Sequence, residues 1–290
     1  MEFLSLLMAL GLLQFWGSGG PLQQDHWFEK LTGYAAQRDI AAALRLSLVI
    51  GLPCLALLLL LILIESLLLG LLSLLVYSAV LLFSLGRGEF TELIQRYLLR
   101  WNRGELDSAE ICLEELTARN AGQVQSDIAN TQISLHERLR SALIYGSFQR
   151  WFAVVFWFML FGPVAALAYR LVFRAVSSEG LDSPTRQLAQ RINSYFEWLP
   201  ARLLSLAFAL TGNFVGGFNH SWQSLWQTQS SGQLLETTAL AAINDEQTVY
   251  PDSSAEMTVF GREQLLALQA LIKRSVVCWI VVIALFELFI

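Results

Sequence analysis

The sequence predicts an all-α fold, namely a polytopic integral membrane protein of several spanning helices with a mainly helical polar domain. The chain of 290 residues is 55% hydrophobic and 15% charged, whereas soluble domains are usually about 45–50% apolar and about 25% charged. Its charges are also unevenly distributed, because residues 46–85 contain one formal charge, Glu65, and residues 87–150 contain seventeen. The size of these stretches indicates that the apolar ones contact lipid and that the polar ones contact water.

Residues 1–43 are predicted to form an apolar N-terminal helix followed by a cytoplasmic segment. The apolar run Met1–Trp16 has no leading Lys or Arg and no small-x-small site before Gly17. Since a secretory signal peptide carries both features, we expect this run to stay uncleaved.

Residues 44–85 are predicted to form a transmembrane helical hairpin. As one helix this run of 42 mostly apolar residues would be about 63 Å long, twice the ~30 Å thickness of the hydrocarbon layer. Two helices must therefore share it. We place the turn at Glu65, Ser66 and Gly70, because a carboxylate is less costly at the headgroup level than at the bilayer centre. Pro53 is expected to kink the first helix.

Residues 86–150 are predicted to form a polar helical domain on the cytoplasmic side. Apolar side chains recur there at helical spacing along one stripe, which comprises Phe90, Leu93, Ile94, Tyr97, Leu98 and Trp101. Gly104 is expected to end this helix, and Asp107 with Glu110 fits a capping box that opens a second one. A third helix is predicted around Leu139. We expect the stripes to pack together, the alternative being that they face lipid headgroups.

Residues 151–218 are predicted to be membrane helices. Trp151–Val172 is the stronger span, because it opens with aromatic residues and is bracketed by arginines. Gly162-Pro163 falls near its middle, which predicts either a kinked span or a broken helix that lines a polar cavity. Trp198–Phe218 could cross the membrane or lie in its interface, and its Gly212-x-x-x-Gly216 spacing permits close helix contact.

The rest of the chain is divided into a polar segment, residues 219–274, and a C-terminal membrane helix, residues 275–290. Trp222 and Trp226 lie one helical turn apart in the polar segment. They are expected to anchor a helix at the membrane interface, the alternative being an aromatic platform for a sugar.

Basic residues near the span ends predict the orientation of the chain. They give an outside N-terminus, a cytoplasmic segment at residues 17–43 and a cytoplasmic domain at residues 86–150. The same path places the loop after Val172 outside, although four arginines flank that loop: Arg170, Arg174, Arg186 and Arg191. This conflict leaves open whether Trp151–Val172 crosses the membrane.

Composition and motifs exclude several kinds of chemistry. The net charge of −5 is spread over mixed-sign stretches without a dense basic run, so nucleic acid is not an expected partner. Three distant cysteines, Cys54, Cys112 and Cys278, suit neither a disulfide framework nor a zinc site. The sequence contains no GxxxxGK[ST], HExxH, GxSxG or CxxC motif. We therefore predict no metal and no cofactor, and the motifs identify no catalytic residue.

Acidic residues near membrane segments are weaker candidates for function. Asp25, His26 and Glu29 place an imidazole and two carboxylates within one helical turn, which is compatible with a metal or proton-relay cluster. Because these groups do not converge on one point unless the backbone bends, we expect a solvated or headgroup-facing helix end instead. Glu65 and Glu287 are interpreted as turn and terminal residues and not as a proton pathway.

The membrane segments carry a family resemblance. Residues 151–170, WFAVVFWFMLFGPVAALAYR, and residues 196–214, FEWLPARLLSLAFALTGNF, resemble the AmpE family. Members of that family are inner-membrane proteins encoded beside the amidase of cell-wall recycling, and they are regarded as modulators of β-lactamase induction. The resemblance extends to the N-terminal Gln24-Asp25-His26 and the final basic-then-apolar helix, and so covers most of the chain.

The AmpE family is distantly related to the CobD/CbiB proteins of cobalamin synthesis, which join an amino alcohol to a corrinoid acid in an ATP-dependent step. Their counterpart of the stretch before Trp151 carries a Glu-Asn pair and an Asp-Gly. Here residues 138–178 contain no carboxylate. Since such a ligase needs anionic groups to hold magnesium against phosphates, this departure argues against synthase activity.

Two arginines that belong to the matching stretches, Arg170 and Arg202, predict an anion site. A guanidinium beside an apolar span either snorkels to the surface or meets a carboxylate or phosphate. If Gly162-Pro163 breaks the helix, the exposed helix N-terminus would add to the site. The candidate ligand-binding residues are Gly162, Pro163, Tyr169, Arg170, Arg202 and Asn213.

The resemblance implies a non-catalytic modulator or sensor in the bacterial inner membrane, linked to cell-wall recycling and β-lactamase induction. Its expected partners are the lipid bilayer, an anionic small ligand and another inner-membrane or cell-wall recycling protein. One alternative is a CobD/CbiB-like membrane enzyme that forms an amide or handles a nucleotide. Another is a structural protein that docks a partner on the face of Leu93, Tyr97 and Trp101.

Overall fold

The computed structural model describes residues 2–16, 26–38, 40–65, 70–85, 89–119, 132–178, 180–213, 230–244, 250–251 and 253–289. Every regular element in these residues is helical, which confirms the all-α prediction. The helices are α1 Glu2–Trp16, α2 His26–Ala36, α3 Ala42–Glu65, α4 Leu71–Ser84, α5 Glu89–Asn102, α6 Leu106–Arg119, α7 Gln132–Ser147, a π-helical turn Phe148–Phe152, α8 Ala153–Val176, α9 Ser183–Thr211, α10 Ser231–Ala242 and α11 Ser254–Phe289.

These helices form two compact units. The first unit consists of Met1–Gly88 and Ala153–Glu197, and the second unit consists of Glu89–Phe152 and Trp198–Ile290. The polar helices that follow α4 therefore group with the C-terminal part of the chain, and the N-terminal apolar helices group with α8.

The apolar run at residues 44–85 is divided between α3 and α4, as its length requires. α3 contains Pro53 and ends at Glu65. Gly70 precedes α4 in the left-handed conformation with φ 68°, which glycine adopts without a steric penalty. Ser66 lies outside the described residues.

Among the residues that the structure describes, two helical stretches are long and apolar enough to cross a membrane, Ala42–Ile64 and Gln132–Val176, and α1 and α4 contain shorter apolar stretches. Large apolar side chains remain exposed along α3, among them Leu52, Leu55 and Leu59. Contiguous exposed apolar surface of this kind marks contact with a membrane or with another protein.

The core of the first unit forms between α2, α3, α8 and α9. Phe28, Val49, Leu171 and Ala189 are buried there, one from each of these helices. α1 packs against α4, and the Ser78 hydroxyl donates to a carbonyl oxygen of α1 at 3.5 Å.

Arg45 fixes one end of the first unit. Its guanidinium is buried and donates to the carbonyl oxygens of Ala35 at 3.2 Å, Arg38 at 2.9 Å and Ile40 at 3.3 Å. These carbonyls lie in the last turn of α2 and just beyond it, where a helix leaves acceptors without intrahelical partners. The same guanidinium bonds the carboxylate of Asp182, just before α9.

The connection between α8 and α9 lies against α2. This contact tests the predicted path of the chain through the membrane. Arg174 approaches Glu29 at 4.0 Å, and the Ser178 hydroxyl donates to that of Thr32 at 3.4 Å. With the Arg45–Asp182 pair, these contacts place residues 174–182 at the same end of the first unit as residues 29–45. A path that puts these two segments on opposite sides of a membrane is therefore wrong.

In the second unit, four residues of the apolar stripe of α5 are buried. Leu93, Ile94, Tyr97 and Trp101 are at most 2% exposed, and Leu113 of α6 is fully buried. Tyr97 and Trp101 stack with ring centroids 5.8 Å apart. The stripes thus pack among protein helices as expected, so the headgroup-facing alternative and the proposed docking face are both wrong.

The ends of α5 and α6 are close to the predicted ones. Gly104 has φ 72°, and its backbone N–H donates to the carbonyl of Trp101 at 3.0 Å, which terminates α5. α6 begins at Leu106, so Asp107 lies in its first turn and not at the capping position. A carboxylate there still favours the positive end of the helix dipole.

α11 is one continuous helix of 36 residues from Ser254 to Phe289. Its first part is buried in the second unit through Leu265, Leu268 and Leu271, whereas Phe286 and other apolar residues of its last turns are exposed. The last part of the polar segment, from Ser254, and the C-terminal apolar run are thus parts of the same helix.

Candidate functional site

α8 is broken at Gly162. This residue has φ 76° and ψ −168° inside the helix, a backbone region that essentially only glycine adopts. Pro163 follows, and proline supplies no backbone N–H and disfavours helical geometry in the residue before it. The helix therefore consists of two halves, residues 153–161 and residues 163–176.

A carboxylate of the same chain lies beside this break. A Cβ atom added to Gly162 would be 3.3 Å from Oε1 of Glu2. Negative charge is favourable near the amino end of a helix, here the second half of α8. The position predicted to bind an external anion is therefore next to an internal one.

Aromatic residues connect the two halves of α8 to α9. The Phe196 ring lies 5.0 Å from the Trp157 ring and 6.3 Å from the Tyr169 ring, measured between centroids. The indole N–H of Trp157 also donates to the carbonyl of Phe196 at 3.1 Å. In a straight helix Trp157 and Tyr169 would be about 18 Å apart along the axis, so the break helps bring both rings to one residue.

A buried carboxylate follows Phe196 directly. Glu197 is 2% exposed, and its Oε1 accepts hydrogen bonds from the Tyr169 hydroxyl at 3.4 Å and from Asn193 Nδ2 at 2.9 Å. We call these three residues the Glu197 cluster. Because burying a charge is costly without hydrogen bonds, the hydrogen bonds from Tyr169 and Asn193 help to stabilise the buried carboxylate.

Sequence reasoning selected Tyr169 but missed Glu197 and Asn193. The two lie four residues apart on α9, a spacing that brings side chains together on one helix face. That spacing is the feature of the sequence from which the pair could have been predicted. It was obscured because the first half of α9 reads as an ordinary polar helix.

Arg170 belongs to the first unit and Arg202 to the second. The guanidinium carbon of Arg170 lies 5.3 Å from the centroid of the Phe173 ring. That of Arg202 lies 4.1 Å from the Trp198 ring, and its Nη1 donates to the Trp198 carbonyl at 3.1 Å. Both arginines are less than 9% exposed, so neither extends to the surface as snorkelling requires.

Asn213 holds the end of α9 in the second unit. Its backbone N–H donates to the carbonyl of Ala242 at 2.7 Å, and its side chain bonds that of Asn244. A Cβ at Gly212 would be 2.5 Å from the same carbonyl, so glycine permits this close contact. Gly216 lies outside the described residues.

The predicted ligand-binding set is thus divided between the units: Gly162, Pro163, Tyr169 and Arg170 lie in the first, and Arg202 and Asn213 lie in the second. Its role in binding an anion stays a prediction.

The second predicted polar cluster is exposed. His26 Nδ1 lies 3.5 Å from Glu29 Oε2, with side chains 79% and 61% exposed, as expected for a solvated helix end. Asp25 lies outside the described residues, as do Trp222 and Trp226. Within the described ranges, no group of three His, Cys, Asp or Glu side chains could hold a metal ion.

A charged network in the second unit was not predicted. Arg140 of α7 donates to Glu236 of α10 at 2.8 Å, and Ser141 donates to the same carboxylate at 2.6 Å. Tyr250 donates to Glu137 at 2.8 Å; burial and this hydrogen bond raise the pKa of its hydroxyl. The network joins α7, α10 and the segment before α11.

Comparison with known proteins identifies the family. A family model described as regulatory signalling modulator protein AmpE matches residues 1–289. Comparisons with curated proteins and with solved structures give no match. Because the family model covers essentially the whole chain, the protein belongs to the AmpE family of regulatory signalling modulators.

Proposed function

We propose that this protein is a multi-pass regulator of the bacterial inner membrane that modulates β-lactamase induction in response to cell-wall recycling. The family match over residues 1–289 supports a regulatory role. The proposed regulatory site is the Glu197 cluster beside the broken helix α8.

The apolar helices support the membrane part of the proposal. α3 has 24 residues and is about 36 Å long, enough for a hydrocarbon layer of ~30 Å. The exposed leucines of α3 would then contact lipid. A Gly-Pro break is tolerated at membrane depth where neighbouring protein covers the freed backbone, and Gly162 and Pro163 are both buried here.

The contacts between residues 174–182 and α2 support one revised orientation. Both segments would lie on the cytoplasmic side, together with Arg174, Arg186 and Arg191. In this orientation the arginines around the loop after α8 satisfy the positive-inside rule, which the path predicted from the sequence did not. α8 would enter and leave the membrane from this side, and its turning point would be the break at Gly162.

The Glu197 cluster would act as the responsive element. A glutamate is seldom buried unless its carboxylate is paired, so the 2% exposure of Glu197 makes it a candidate for function. A regulator also needs an element with two arrangements that a signal can bias. Neutralising Glu197 would weaken its bonds to Tyr169 and Asn193 and so loosen α9 from the second half of α8.

A complementation experiment tests this proposal. A strain lacking the gene receives the wild-type chain, Glu197→Gln or the control Glu92→Gln, which changes an exposed carboxylate of α5. β-lactamase is measured before and after a sub-inhibitory β-lactam. We expect altered induction in the deletion strain, restoration by wild type and by the control, and incomplete restoration by Glu197→Gln at equal membrane abundance. Unchanged induction in the deletion strain would refute the proposal.

A further inference from the structure

α2 divides its surface into distinct faces. Phe28, Thr32 and Ala35 are buried against the core of the first unit. A second face, 100–160° away around the helix at 100° per residue, carries Trp27, Lys30 and Tyr34, and Arg38 follows just beyond the helix end. All four are exposed, Tyr34 at 71% and Trp27 at 40%. We call Trp27, Lys30, Tyr34 and Arg38 the α2 stripe.

The positive charge of the α2 stripe is not cancelled by the acidic residue on the same helix. Glu29 lies on a different face, where it meets His26 at 3.5 Å and Arg174 at 4.0 Å. The stripe therefore alternates aromatic and basic side chains and contains no carboxylate.

The position of the α2 stripe in the chain favours a membrane surface. α3 begins at Ala42, four residues after Arg38, and is the most exposed apolar helix suited to cross a membrane. Arg45 fixes this connection through the carbonyls of Ala35 and Arg38. Tryptophan and tyrosine prefer the headgroup level, and long basic side chains reach phosphates from there.

We propose that the α2 stripe binds anionic phospholipid headgroups of the leaflet in which α3 begins. Lys30 and Arg38 meet the lipid phosphates, and Trp27 and Tyr34 insert between headgroups. The proposal rests on the membrane placement given above, but not on any role in β-lactamase induction. An anionic surface suits the charge of the stripe, and its aromatic rings suit an interface more than open water.

Titration of the detergent-solubilised full chain with lipid tests the proposal. Mixed micelles containing dioleoyl phosphatidylglycerol or dioleoyl phosphatidylcholine are added, and the thermal unfolding midpoint is followed. The test variant is Lys30→Gln with Arg38→Gln. The control variant, Arg96→Gln with Arg262→Gln, removes two exposed charges from the second unit.

Wild type is expected to respond to phosphatidylglycerol at lower concentration than to phosphatidylcholine. Each basic residue near an anionic surface contributes roughly a fivefold factor in affinity, so the test variant should need roughly 25-fold more phosphatidylglycerol. The control variant should titrate like wild type, and no variant should change the response to phosphatidylcholine.

Two results of the lipid titration would overturn the proposal: equal responses of wild type to both lipids, or a test variant that titrates like the control. A preference for a soluble acidic peptide over phosphatidylglycerol would also do so, because the stripe would then bind protein. Membrane extraction of the same variants separates the lipid proposal from the proposed function. A variant that loses its lipid preference but remains inserted in the membrane does not contradict the proposed function.

Discussion

Replacing Gly162 by alanine should destabilise the first unit, because α8 depends on a backbone conformation that alanine cannot adopt without strain. The glycine has φ 76° and ψ −168°, and strain of this kind costs about 1–3 kcal/mol. The new Cβ would also lie 3.3 Å from Oε1 of Glu2. That oxygen ends a flexible side chain, so it can move and adds little to the cost.

Gly51→Ala provides a matched control in the same unit. Gly51 lies inside α3, and no atom lies within 4 Å of an added Cβ. Alanine in a helix interior is favoured over glycine by about 0.5–1 kcal/mol. The two substitutions are chemically identical, but their effects should have opposite signs.

Equilibrium unfolding of the full chain in mixed detergent micelles, driven by increasing dodecyl sulfate and followed by tryptophan fluorescence, measures the difference. Gly162→Ala should lower the folded-to-unfolded ratio by roughly 5- to 150-fold, and Gly51→Ala should raise it slightly. Adding Glu2→Ala to Gly162→Ala should restore only a small part of the loss. If Gly162→Ala were as stable as Gly51→Ala, the break in α8 would not exist as described.

Three further predictions concern other parts of the chain. The Thr185 hydroxyl and then Arg45 lower the pKa of Asp182, so its ionised form stabilises the fold above the unfolded pKa of about 4, and this stabilisation is lost as pH falls through the lower folded pKa. Asp182→Asn should therefore make the unfolding midpoint less dependent on pH below about 4, and an unchanged pH profile would contradict this. Leu113→Ala, at a fully buried position of α6, should lower the free energy of unfolding by about 2–5 kcal/mol. A substitution at a surface site of the same helix should lower it by about 0.5 kcal/mol or less. Equal losses in denaturant titrations would contradict the burial of Leu113. With native cysteines replaced by serine, Ser178→Cys should react with a membrane-impermeant maleimide only from the cytoplasmic side, and labelling from outside would reject the revised orientation.

Local patterns in the sequence were sufficient to predict several of the helices. The stripe containing Leu93 and Trp101 predicted α5, because helical periodicity needs only the residues of one segment. The length of the apolar run predicted that α3 and α4 share it, since a helix has a fixed rise per residue. Gly162-Pro163 marked the position of the break, although the choice between kink and break required the backbone.

Contacts between distant segments could not be predicted in this way. Arg45 and Asp182 are 137 residues apart, and no periodicity links them, so the predicted path separated two segments that are in contact. Glu197 was missed for a related reason. Its burial depends on Tyr169 of another helix, and a carboxylate in a polar-looking stretch is usually solvated.

We propose that the exposed apolar side chains of α3 contact lipid. Alkaline carbonate extraction of membranes from cells with the untagged chain tests it most directly, because this treatment releases peripheral proteins and retains proteins that cross the bilayer. We predict that the chain stays in the membrane pellet and enters solution only with detergent. Recovery of a monodisperse chain from the supernatant without detergent would contradict the account.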